Sequence, residues 1–586
     1  MRKWSLASPA CTRKLHCTSI HAIDMRAAAY PTTFLPARRR GQSRGSFRST
    51  TVSTVNQKET DVVVIGAGIG GLSAGAVLAA HGVQVTVLES HSVAGGAAHA
   101  WQRDGYIFES GPSLWSGLGS LPSTNPLAHV LEAVGESVEV RTYSNWMCHM
   151  PDGDGLLEPG TGQFLTEVGS EQFTEVLRRL RGDRAAAEWT GLKDFMRPLA
   201  TAATAVPPIA VRSDAGVLLT LGRYLPRLLK VDPVLAPKLL GPFSDLLREY
   251  DNDAGDPFVR GWLNLLCFLL SGATAEGTAA AEIGFMFDDW YRPNACLEYP
   301  VGGSGAVVEA LARGLTKHGG KLQTNAHVEE ILLEGGRAIG VRLRDGSTLR
   351  AKQAVISNAS VWDTASLLSE GPEREAFNAG IEQDGTEECA SFMHLHIGVD
   401  AEGLPPDLEM HHISLESWSA GVDAPQNLVL VSIPSVIDPS MAPPGKHVVH
   451  AYTPGSEPAD EWRGLERGTP AYEAKKRERA EVLWRAVERA VPGARARCEI
   501  EMIGTPLTHA RFLRRKNGTY GGTGWIKPGR RGSPPSVDSP IPGLLCVGDS
   551  QFPGPGVPAV ASSGCIAANS LVSVSKHWRL LDRVTL

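Results

Sequence analysis

Three glycines followed at a fixed distance by a glutamate form the clearest chemical signal in this 586-residue chain. Gly66, Gly68 and Gly71 have G-x-G-x-x-G spacing, and seventeen residues separate Gly71 from Glu89. In a dinucleotide site the first glycine permits a tight turn, the second admits the pyrophosphate, and the third lets a helix lie close to a strand. The helix N-terminus offers N–H groups to phosphates, and Glu89 would accept hydrogen bonds from ribose hydroxyls. The pattern predicts a dinucleotide site, with Gly70 inside its loop.

A second glycine pair favours FAD over NAD as the dinucleotide. Gly95 and Gly96 follow Glu89 within one short loop. This arrangement resembles the two-dinucleotide-binding flavoproteins, in which such a pair continues the FAD site. Val328, at the start of a predicted strand, is a further candidate for contact with the cofactor. No second G-x-G-x-x-G with a ribose acid occurs, so we expect the substrate rather than NADPH to meet the flavin.

The C-terminal segment has the features of the other end of an FAD site. Gly548 and Asp549 end a predicted strand, and Gly556 and Val557 precede a predicted helix, Ala559 to Leu571. The Asp549 carboxylate would meet a ribitol hydroxyl, while the helix N-terminus would point its N–H groups at the pyrimidine edge of the flavin. The alternative interpretation is that Asp549 only caps that helix.

A parallel sheet with closely packed helices is needed to position these residues. Asp61 to Ile65 and Val83 to Leu88 are typical of buried parallel strands, and Leu72 to Ala80 of a tightly packed helix. We predict an α/β fold with a discontinuous Rossmann-type FAD-binding domain and a mixed α+β substrate domain. The predicted boundaries are 1–58 for a transit peptide, 59–140, 295–370 and 535–586 for the FAD-binding domain, and 141–294 (helical) and 371–534 for the substrate domain.

Further strands are expected in the middle and later parts of the chain. Trp262 to Leu270 predicts a core helix, and Glu473 to Ala490 predicts a long helix whose alternating charges are typical of a solvated surface. Apolar or alternating runs bounded by turn residues predict strands at 321–323, 328–333, 338–343, 348–351, 354–356, 391–399, 427–434 and 446–452.

Composition excludes several classes of protein. The net charge of −6 and the absence of a dense basic run in the body of the chain argue against a nucleic-acid partner. The nine cysteines are scattered without a C-x-x-C pair, so we expect free thiols and no metal site. The 42% apolar content is ordinary for a globular protein with a large core.

The first fifty residues differ from the rest. They hold ten Lys or Arg and one acid, Asp24, with frequent Ser, Thr and Ala, and they lack the apolar core of a secretory signal. This composition predicts an organellar transit peptide, first for the chloroplast and second for the mitochondrion, with a basic tail as the plain alternative.

No run of eighteen apolar residues occurs, so no transmembrane helix is predicted. Leu199 to Leu247 mixes apolar clusters with Arg and Lys, a pattern of short amphipathic helices. Such helices would lie on a membrane surface as a peripheral protein, or else roof an apolar pocket.

Several motifs connect the cofactor and substrate segments with a known family. They are Tyr299-Pro-Val-Gly-Gly, Ala338-Ile-Gly-Val-Arg-Leu, Ile356-Ser-Asn-Ala, Trp362-Asp-Thr, His411-His412 with Glu416, Gly504-Thr-Pro with Thr508-His509 and Arg511-Phe512-Leu513, Gly518-Thr-Tyr, and Cys546-Val-Gly-Asp-Ser with Phe552-Pro-Gly. On these stretches the chain from about Asp61 onward resembles the carotenoid cis-trans isomerases (prolycopene isomerases), within the bacterial-type phytoene desaturase group. Phe287 to Glu298 and the helices from 199 to 250 depart from that pattern, so a paralogue with an altered substrate stays open.

The resemblance implies FAD as cofactor and a poly-cis carotenoid such as prolycopene as the lipophilic substrate of cis–trans isomerisation in carotenoid biosynthesis. Rotation about a polyene double bond breaks its π overlap, so the bond order must fall transiently. Reduced flavin could supply electron density or hydride, or an acid could protonate the polyene to a delocalised cation. Two alternatives stay open: a carotenoid desaturase or saturase on the same scaffold, with a quinone as acceptor for desaturation, and a non-catalytic FAD-binding protein associated with pigment.

A protein acid or base in such a pocket should be a buried carboxylate or histidine with a shifted pKa. Each candidate has the plain alternative of a core residue, a surface residue or an ion-pair partner. The candidates are Glu298, His396, His412, Glu416, His509 and Arg511.

The segment before Tyr299 is unusually rich in acids and rings. Asp288 and Asp289 are adjacent, so their side chains should point in different directions and should not act as a pair. Trp290, Tyr291 and Tyr299 would either line a polyene tunnel or belong to the ordinary core.

Overall fold

The computed structural model describes residues 58–119, 121–527 and 532–586, so the predicted transit peptide lies outside the described residues apart from Lys58. The strands in these ranges are β1 Lys58–Ile65, β2 Val85–Leu88, β3 Ala100–Arg103, β4 Tyr106–Glu109, β5 Val140–Tyr143, β6 Asn145–His149, β7 Gln163–Glu167, β8 Leu297–Pro300, β9 Lys321–Gln323, β10 Val328–Glu334, β11 Arg337–Leu343, β12 Thr348–Ser357, β13 Glu387–Glu388, β14 Ser391–Asp400, β15 His411–Leu415, β16 Leu428–Ser432, β17 Lys446–Glu457, β18 Cys498–Gly504, β19 Gly522–Thr523 and β20 Leu544–Cys546.

Helices are concentrated between β7 and β8 and near the C-terminus. They are α1 Ile69–Ala80, α2 Pro126–Val134, α3 Ser170–Arg181, α4 Asp183–Ala203, α5 Val217–Leu221, α6 Leu225–Leu228, α7 Ala236–Leu239, α8 Phe243–Asp251, α9 Pro257–Ser271, α10 Ala280–Trp290, α11 Ser304–Lys317, α12 Val361–Ser366, α13 Pro372–Asp384, α14 Pro470–Ala490, α15 Ala494–Arg497, α16 Pro506–Phe512, α17 Val557–Ser570 and α18 Val574–Leu581.

The first large sheet is assembled from three separate chain segments. Its parallel core runs β20-β12-β1-β2-β9, and the β10–β11 hairpin joins the edge of β12 in antiparallel fashion. The central strand β1 is apolar because both sheet faces are covered, and Val62, Val63 and Val64 have no exposed surface. The discontinuous Rossmann-type fold is therefore confirmed.

Helices α1 and α17 pack unusually close together on this sheet. A Cβ atom at Gly564 of α17 would lie 2.3 Å from the Gly70 carbonyl oxygen of α1. The small residues in these two predicted helices are therefore required by the packing of one helix on the other. Each helix begins two to three residues earlier than predicted, because Ile69 and Val557 already have helical geometry.

The second large sheet has the order β18-β14-β17-β16-β15-β6-β7. Side chains alternate between its faces. One face, which includes Leu395 and Val449, packs against α14, as the buried Leu483 and Val487 show. The opposite face carries histidines and tyrosines toward the interior. Strands β6, β7, β15 and β18 were not predicted, and β14, β16 and β17 were.

The helical segment between β7 and β8 has its own aromatic core. Its largest fully buried side chains include Trp189, Trp262 and Phe173, and Trp262 lies in the predicted core helix, now α9. The short helices α5, α6 and α7 follow the pattern predicted for 199–247, and leucines project from them into solvent. No helix in the described part of the chain is long and apolar enough to cross a membrane.

One strand prediction was wrong. Residues 348–351 and 354–356 were predicted as two strands, but β12 is continuous from Thr348 to Ser357. The pairing of β12 with β1 shifts between Thr60 and Val62, so Lys352 and Gln353 form an irregularity within the strand rather than a break. The cysteines in the described ranges are free, as predicted.

Candidate functional site

One large cavity connects the first sheet with the second. Its volume is about 1210 Å³, above the usual range of roughly 300–1,000 Å³ for a small-molecule site. One end is lined by the glycine loops around β1, β2 and β20, and we call it the cofactor cradle. The other end, the apolar end, is lined by Trp115, Phe268, Leu269, Leu270, Phe285, Met286, Trp290, Phe392, Leu430, Tyr452 and Tyr520.

The first glycine loop leaves no room for side chains. A Cβ atom at Gly68 would lie 2.7 Å from Asn358 Nδ2, and one at Gly70 would lie 2.6 Å from Asn358 Oδ1. Helix α1 begins at this loop with no side-chain cap and no acid in its first turn. Its first N–H groups therefore remain available for a phosphate, as a dinucleotide requires.

The ribose acid and the second glycine pair lie against the same loop. Glu89 is buried, and its carboxylate accepts hydrogen bonds from the N–H groups of Ala67 and His91, each at 2.8 Å. The Gly95 N–H donates to the Ala67 carbonyl at 2.8 Å, and a Cβ at Gly96 would lie 3.1 Å from Gly68 Cα. Glycine is thus required at 95–96 by the approach of two backbone segments.

The C-terminal segment closes the cradle. Gly556 precedes α17, which has no side-chain cap, so Asp549 does not cap that helix. The Asp549 carboxylate instead pairs with Arg515, whose Nη2 lies 2.8 Å from Oδ2. Arg515 also donates from Nε to the Thr519 carbonyl at 2.5 Å. The pair fixes the position of Asp549 at the cavity wall.

The structure brings the predicted cofactor residues together around the cradle. Gly71 is the exception: it does not line the cavity, and its Cβ would lie 2.1 Å from the Gly66 carbonyl, which fits the third glycine of a dinucleotide loop. The lining residues are Gly66, Gly68, Gly70, Glu89, Gly95, Gly96, Val328, Gly548, Asp549, Gly556 and Val557. Open N–H groups, close-packed glycines and a buried acid all fit FAD.

Sequence analysis missed two polar residues in the cradle. Asn358 belongs to the shared motif Ile356-Ser-Asn-Ala but was not predicted as a site residue, and it lies against the glycines of two loops. Arg515 was not considered, although its guanidinium faces Asp549. The strand-end position of Asn358 was a usable signal, because ligands meet the carboxyl ends of parallel strands.

The catalytic candidate Glu298 lies outside the cavity and binds a neighbouring loop. It is buried outside the cavity lining, and its carboxylate accepts hydrogen bonds from the Leu118 and Gly119 N–H groups. Its own N–H donates to the Trp115 carbonyl at 2.8 Å. Glu298 therefore holds the loop that carries Trp115 and Ser116 into the cavity.

Two further candidates lie away from the cavity. His412 lies 3.2 Å from His149, measured between ring nitrogens, and burial lowers its pKa to about 4. Glu416 forms ion pairs with Arg485 and Arg489. Neither His412 nor Glu416 lines the cavity, so the structure gives them no contact with a ligand there.

The last pair of candidates lies on helix α16. His509 is buried with its Nδ1 3.3 Å from the Tyr520 hydroxyl, and burial lowers its pKa to about 3. Arg511 is exposed beside Phe512. Neither lines the cavity, although Tyr520 and His394 do, so His509 touches the site through those two rings.

A stack of histidines covers the interior face of the second sheet. His394 Nδ1 lies 2.7 Å from His450 Nε2, and His396 donates from Nε2 to the Glu109 carbonyl at 2.9 Å. Burial lowers the pKa of His396 to about 4. The three rings lie close enough to suggest metal ligation. However, the rings of His396 and His450 are stacked 4.3 Å apart at 7°, so their in-plane lone pairs do not converge on one point.

The aromatic residues before Tyr299 divide between cavity and core. Trp290 lines the cavity, whereas Tyr291 and Tyr299 are buried in the core. Asp288 and Asp289 do point apart: Asp289 lines the cavity and Asp288 does not. Asp289 was not selected from the sequence, because its exposure to the cavity depends on how α10 packs.

Residues 69–572 match the family of flavin containing amine oxidoreductases. The chain belongs to this family. Like other flavin containing amine oxidoreductases, it is an FAD-dependent enzyme, in agreement with the cradle. Chloroplastic prolycopene isomerase of Arabidopsis thaliana is 33% identical over 538 residues, covering 89% of this chain and 84% of that protein.

More distant proteins also match. The lycopene-forming phytoene desaturase of Pseudescherichia vulneris is 25% identical over 538 residues, covering 87% of this chain and 98% of that protein. The crystal structure of an oxidoreductase from Methanosarcina mazei superposes with a TM-score of 0.56 at 21% identity, covering 86% of this chain and 98% of that one. The likeness to the Methanosarcina mazei structure shows that the two chains share a fold.

Proposed function

We propose that this enzyme is an FAD-dependent carotenoid isomerase that acts on a poly-cis carotenoid such as prolycopene. The observation that carries the proposal is the single cavity in which a dinucleotide cradle opens into a wall of rings and aliphatic side chains. A conjugated hydrocarbon fits such a wall, because apolar surface gains from leaving water. The sequence identity of 33% and 32% to two prolycopene isomerases, each over 89% of the chain, supports the same assignment.

FAD is held, in this proposal, by the glycines of both loops, Glu89, Val328, Asp549 and the N-terminus of α17. When bound, reduced FAD would supply electron density that stabilises a polyene whose bond order has fallen. The chain's own residues orient the polyene and exclude water: Phe285 and Trp290 from α10, and Phe392 and Tyr452 from the second sheet, all line the apolar end.

The second candidate function is a desaturase or saturase. The similarity to phytoene desaturases favours it, though at lower identity than the isomerases. Desaturation removes two hydrogens, so it would require an electron acceptor such as a quinone. A third possibility is a pigment-associated flavoprotein without turnover. It accounts for the cradle, but it gives no reason for the apolar end to join the cradle in one cavity.

The test is an anaerobic incubation of the full-length protein, loaded with reduced FAD, with poly-cis and with all-trans carotenoids. Chromatography separates isomers, and mass spectrometry counts hydrogens. We expect a new isomer of unchanged mass. A product lighter or heavier by two hydrogens would establish the oxidoreductase instead, and bound flavin without any product would favour the pigment-associated protein.

We also propose a plastid location on the surface of a membrane. The chloroplastic names of the relatives and the basic first fifty residues support the plastid. Membrane contact is supported by exposed leucines on and next to α5 and α6, which lie among Arg223, Arg227 and Lys230. We call Leu218, Leu219, Leu225 and Leu229 the leucine face. Residues 199–247 do not line the cavity, so a surface role fits better than a pocket roof.

A further inference from the structure

A carboxyl group lies in the apolar end of the cavity. Asp289 is on α10, one turn after Phe285 and Met286 and next to Trp290, and all four residues line the cavity. Asp289 is only 8% exposed. Aspartate is rarely buried to this extent without a partner, so the groups around it determine what it can do.

The surroundings of Asp289 offer one hydrogen bond and no ion pair within the described residues. Ser116 Oγ lies 2.5 Å from Asp289 Oδ2. The nearby charge of Arg292 lowers the pKa of Asp289, and the charges of Glu298 and Asp288 raise it. Burial is the main reason that the pKa of Asp289 is raised. The carboxyl group therefore keeps its proton to a higher pH than an exposed aspartate does.

The loop that carries Ser116 is held firmly. The Asn125 side-chain amide donates to the Ser116 carbonyl at 2.7 Å. Glu298 accepts a hydrogen bond from the Gly119 N–H at 3.1 Å and donates its own N–H to the Trp115 carbonyl at 2.8 Å. Ser116 thus fixes one oxygen of Asp289, whose side chain belongs to the cavity lining.

We propose that Asp289 is the group that gives a proton to the polyene during isomerisation and takes it back. This inference rests on the proposed function and adds a named acid to it. A hydrocarbon substrate has no polar group that could pair with this carboxyl group. Binding of a carotenoid therefore does not explain a buried acid in the pocket, whereas a chemical role does.

The step balances without any further reactant. The carboxyl proton forms a C–H bond with one polyene carbon, using the π pair of a double bond. The cation that remains is delocalised along the conjugated chain, and Asp289 becomes a carboxylate. The former double bond rotates, a C–H proton returns to Asp289, and the π bond forms again. Trp115 and Trp290 line the same cavity, and aromatic rings of this kind can stabilise cations.

The test compares Asp289→Asn with Asp288→Asn in the flavin-loaded full-length protein acting on a poly-cis carotenoid. Asp288 is the matched control, because it is the next residue on α10, half-buried and outside the cavity lining. General acid–base catalysis contributes typically 10²–10⁴-fold. We therefore expect D289N to lose at least about 100-fold in turnover. We expect D288N to stay within about threefold, at unchanged flavin content. Asp289→Glu should recover part of the loss.

A solvent isotope effect separates proton transfer from mere support of the pocket. Turnover of the wild-type protein should fall by about twofold or more in D₂O, because the carboxyl proton exchanges with solvent and moves in the rate-limiting step. If D289N keeps turnover within about threefold of wild type, the proposal is overturned. Loss of turnover in D289N together with no isotope effect in the wild type overturns it as well.

Ser116→Ala keeps the test decisive if D289N does not fold. The hydrogen bond from Ser116 lowers the pKa of Asp289, so its removal should raise that pKa. Activity requires the protonated acid and falls as pH rises through its pKa, so this limb of the pH profile should move to higher pH in S116A. An unmoved limb contradicts the proposal. If the wild-type protein binds flavin but isomerises no polyene, the proposed function fails and the role of Asp289 falls with it.

Discussion

The two ends of the cavity are built by opposite means. In the cofactor cradle, positions such as Gly68, Gly70 and Gly71 matter because no side chain fits there. In the apolar end, Phe285 and Trp290 matter because of the side chains that they present. A substitution in the cradle therefore meets fixed backbone, whereas one in the apolar end changes the shape and chemistry of a wall. The cradle determines that a dinucleotide binds, and the apolar end determines what reacts.

The largest expected effect comes from Gly71→Ala. The added Cβ would lie 2.1 Å from the Gly66 carbonyl oxygen, and both atoms belong to backbone that cannot move independently. We expect a loss of at least about 3 kcal/mol in the free energy of unfolding and a loss of bound flavin. Thermal unfolding and flavin absorbance measure both quantities.

Gly380→Ala is the matched control. Gly380 lies inside α13, and a Cβ there would have nothing within 4 Å. Alanine in an open helical position should stabilise by up to about 1 kcal/mol. If G71A keeps wild-type flavin content and stability, the cradle does not depend on close backbone approach, and the contrast between the two ends disappears.

A smaller effect is expected from breaking the Arg515–Asp549 pair at the cradle. Arg515→Met leaves the carboxylate of Asp549 largely buried without its partner. Because the two side chains are 15% and 19% exposed, we expect a cost of about 2 kcal/mol, and a partial recovery in the double variant R515M/D549N. Chemical denaturation of the wild type, R515M, D549N and the double variant gives the coupling energy.

The control for this pair is Arg463→Met. Arg463 pairs with Asp460 on the surface, where the two side chains are 78% and 76% exposed. Such pairs contribute about 0–1 kcal/mol. Equal costs for R515M and R463M would show that the pair at the cradle is only a surface contact.

The same contrast explains how much could be read from the sequence. Gly66 to Glu89 could be assigned because the backbone of a dinucleotide loop dictates its spacing. Asp289 and Ser116 could not, because they lie 173 positions apart and only the folded chain brings them together. The position of His412 and Glu416 outside the cavity could not be predicted for the same reason. Strand β15, which contains His412 and ends just before Glu416, was not predicted, so the face on which each side chain lies was unknown.

The apolar end also borders the histidine stack, which should make the protein sensitive to acid. The folded-state pKa of His396 is about 4, below the ordinary 6.5. The unfolded chain therefore takes up the proton first, and the stability from this group is lost as pH falls from about 6.5 toward 4. Between pH 7 and pH 5, the titration of His396 should lower the free energy of unfolding by about 2 kcal/mol.

His396→Asn removes that titration. Its free energy of unfolding should depend less steeply on pH than that of the wild type, by about 2 kcal/mol between pH 7 and pH 5. The comparison concerns the slope, because the substitution also disturbs the hydrogen bond to Glu109 and lowers stability at every pH. Parallel pH curves for the two proteins would show that His396 is not kept neutral by burial.

The smallest effect on stability is expected at the leucine face. Leu218 and Leu229 are each 76% exposed, so the double variant L218S/L229S should change the free energy of unfolding by no more than about 0.5 kcal/mol. Each leucine that enters a bilayer contributes up to about 1.5–3 kcal/mol. Because insertion is partial, we expect binding to fall about tenfold.

Flotation with anionic lipid vesicles measures that binding. Leu121→Ser is the control, because Leu121 is 49% exposed but lies outside the leucine face, and this variant should float like the wild type. Isomerase turnover on carotenoid dissolved in detergent should be the same in all three proteins, since none of the leucine face lines the cavity. If L218S/L229S floats normally but loses turnover in detergent, the leucines serve the apolar end directly, and the surface and the pocket cannot be treated as separate regions.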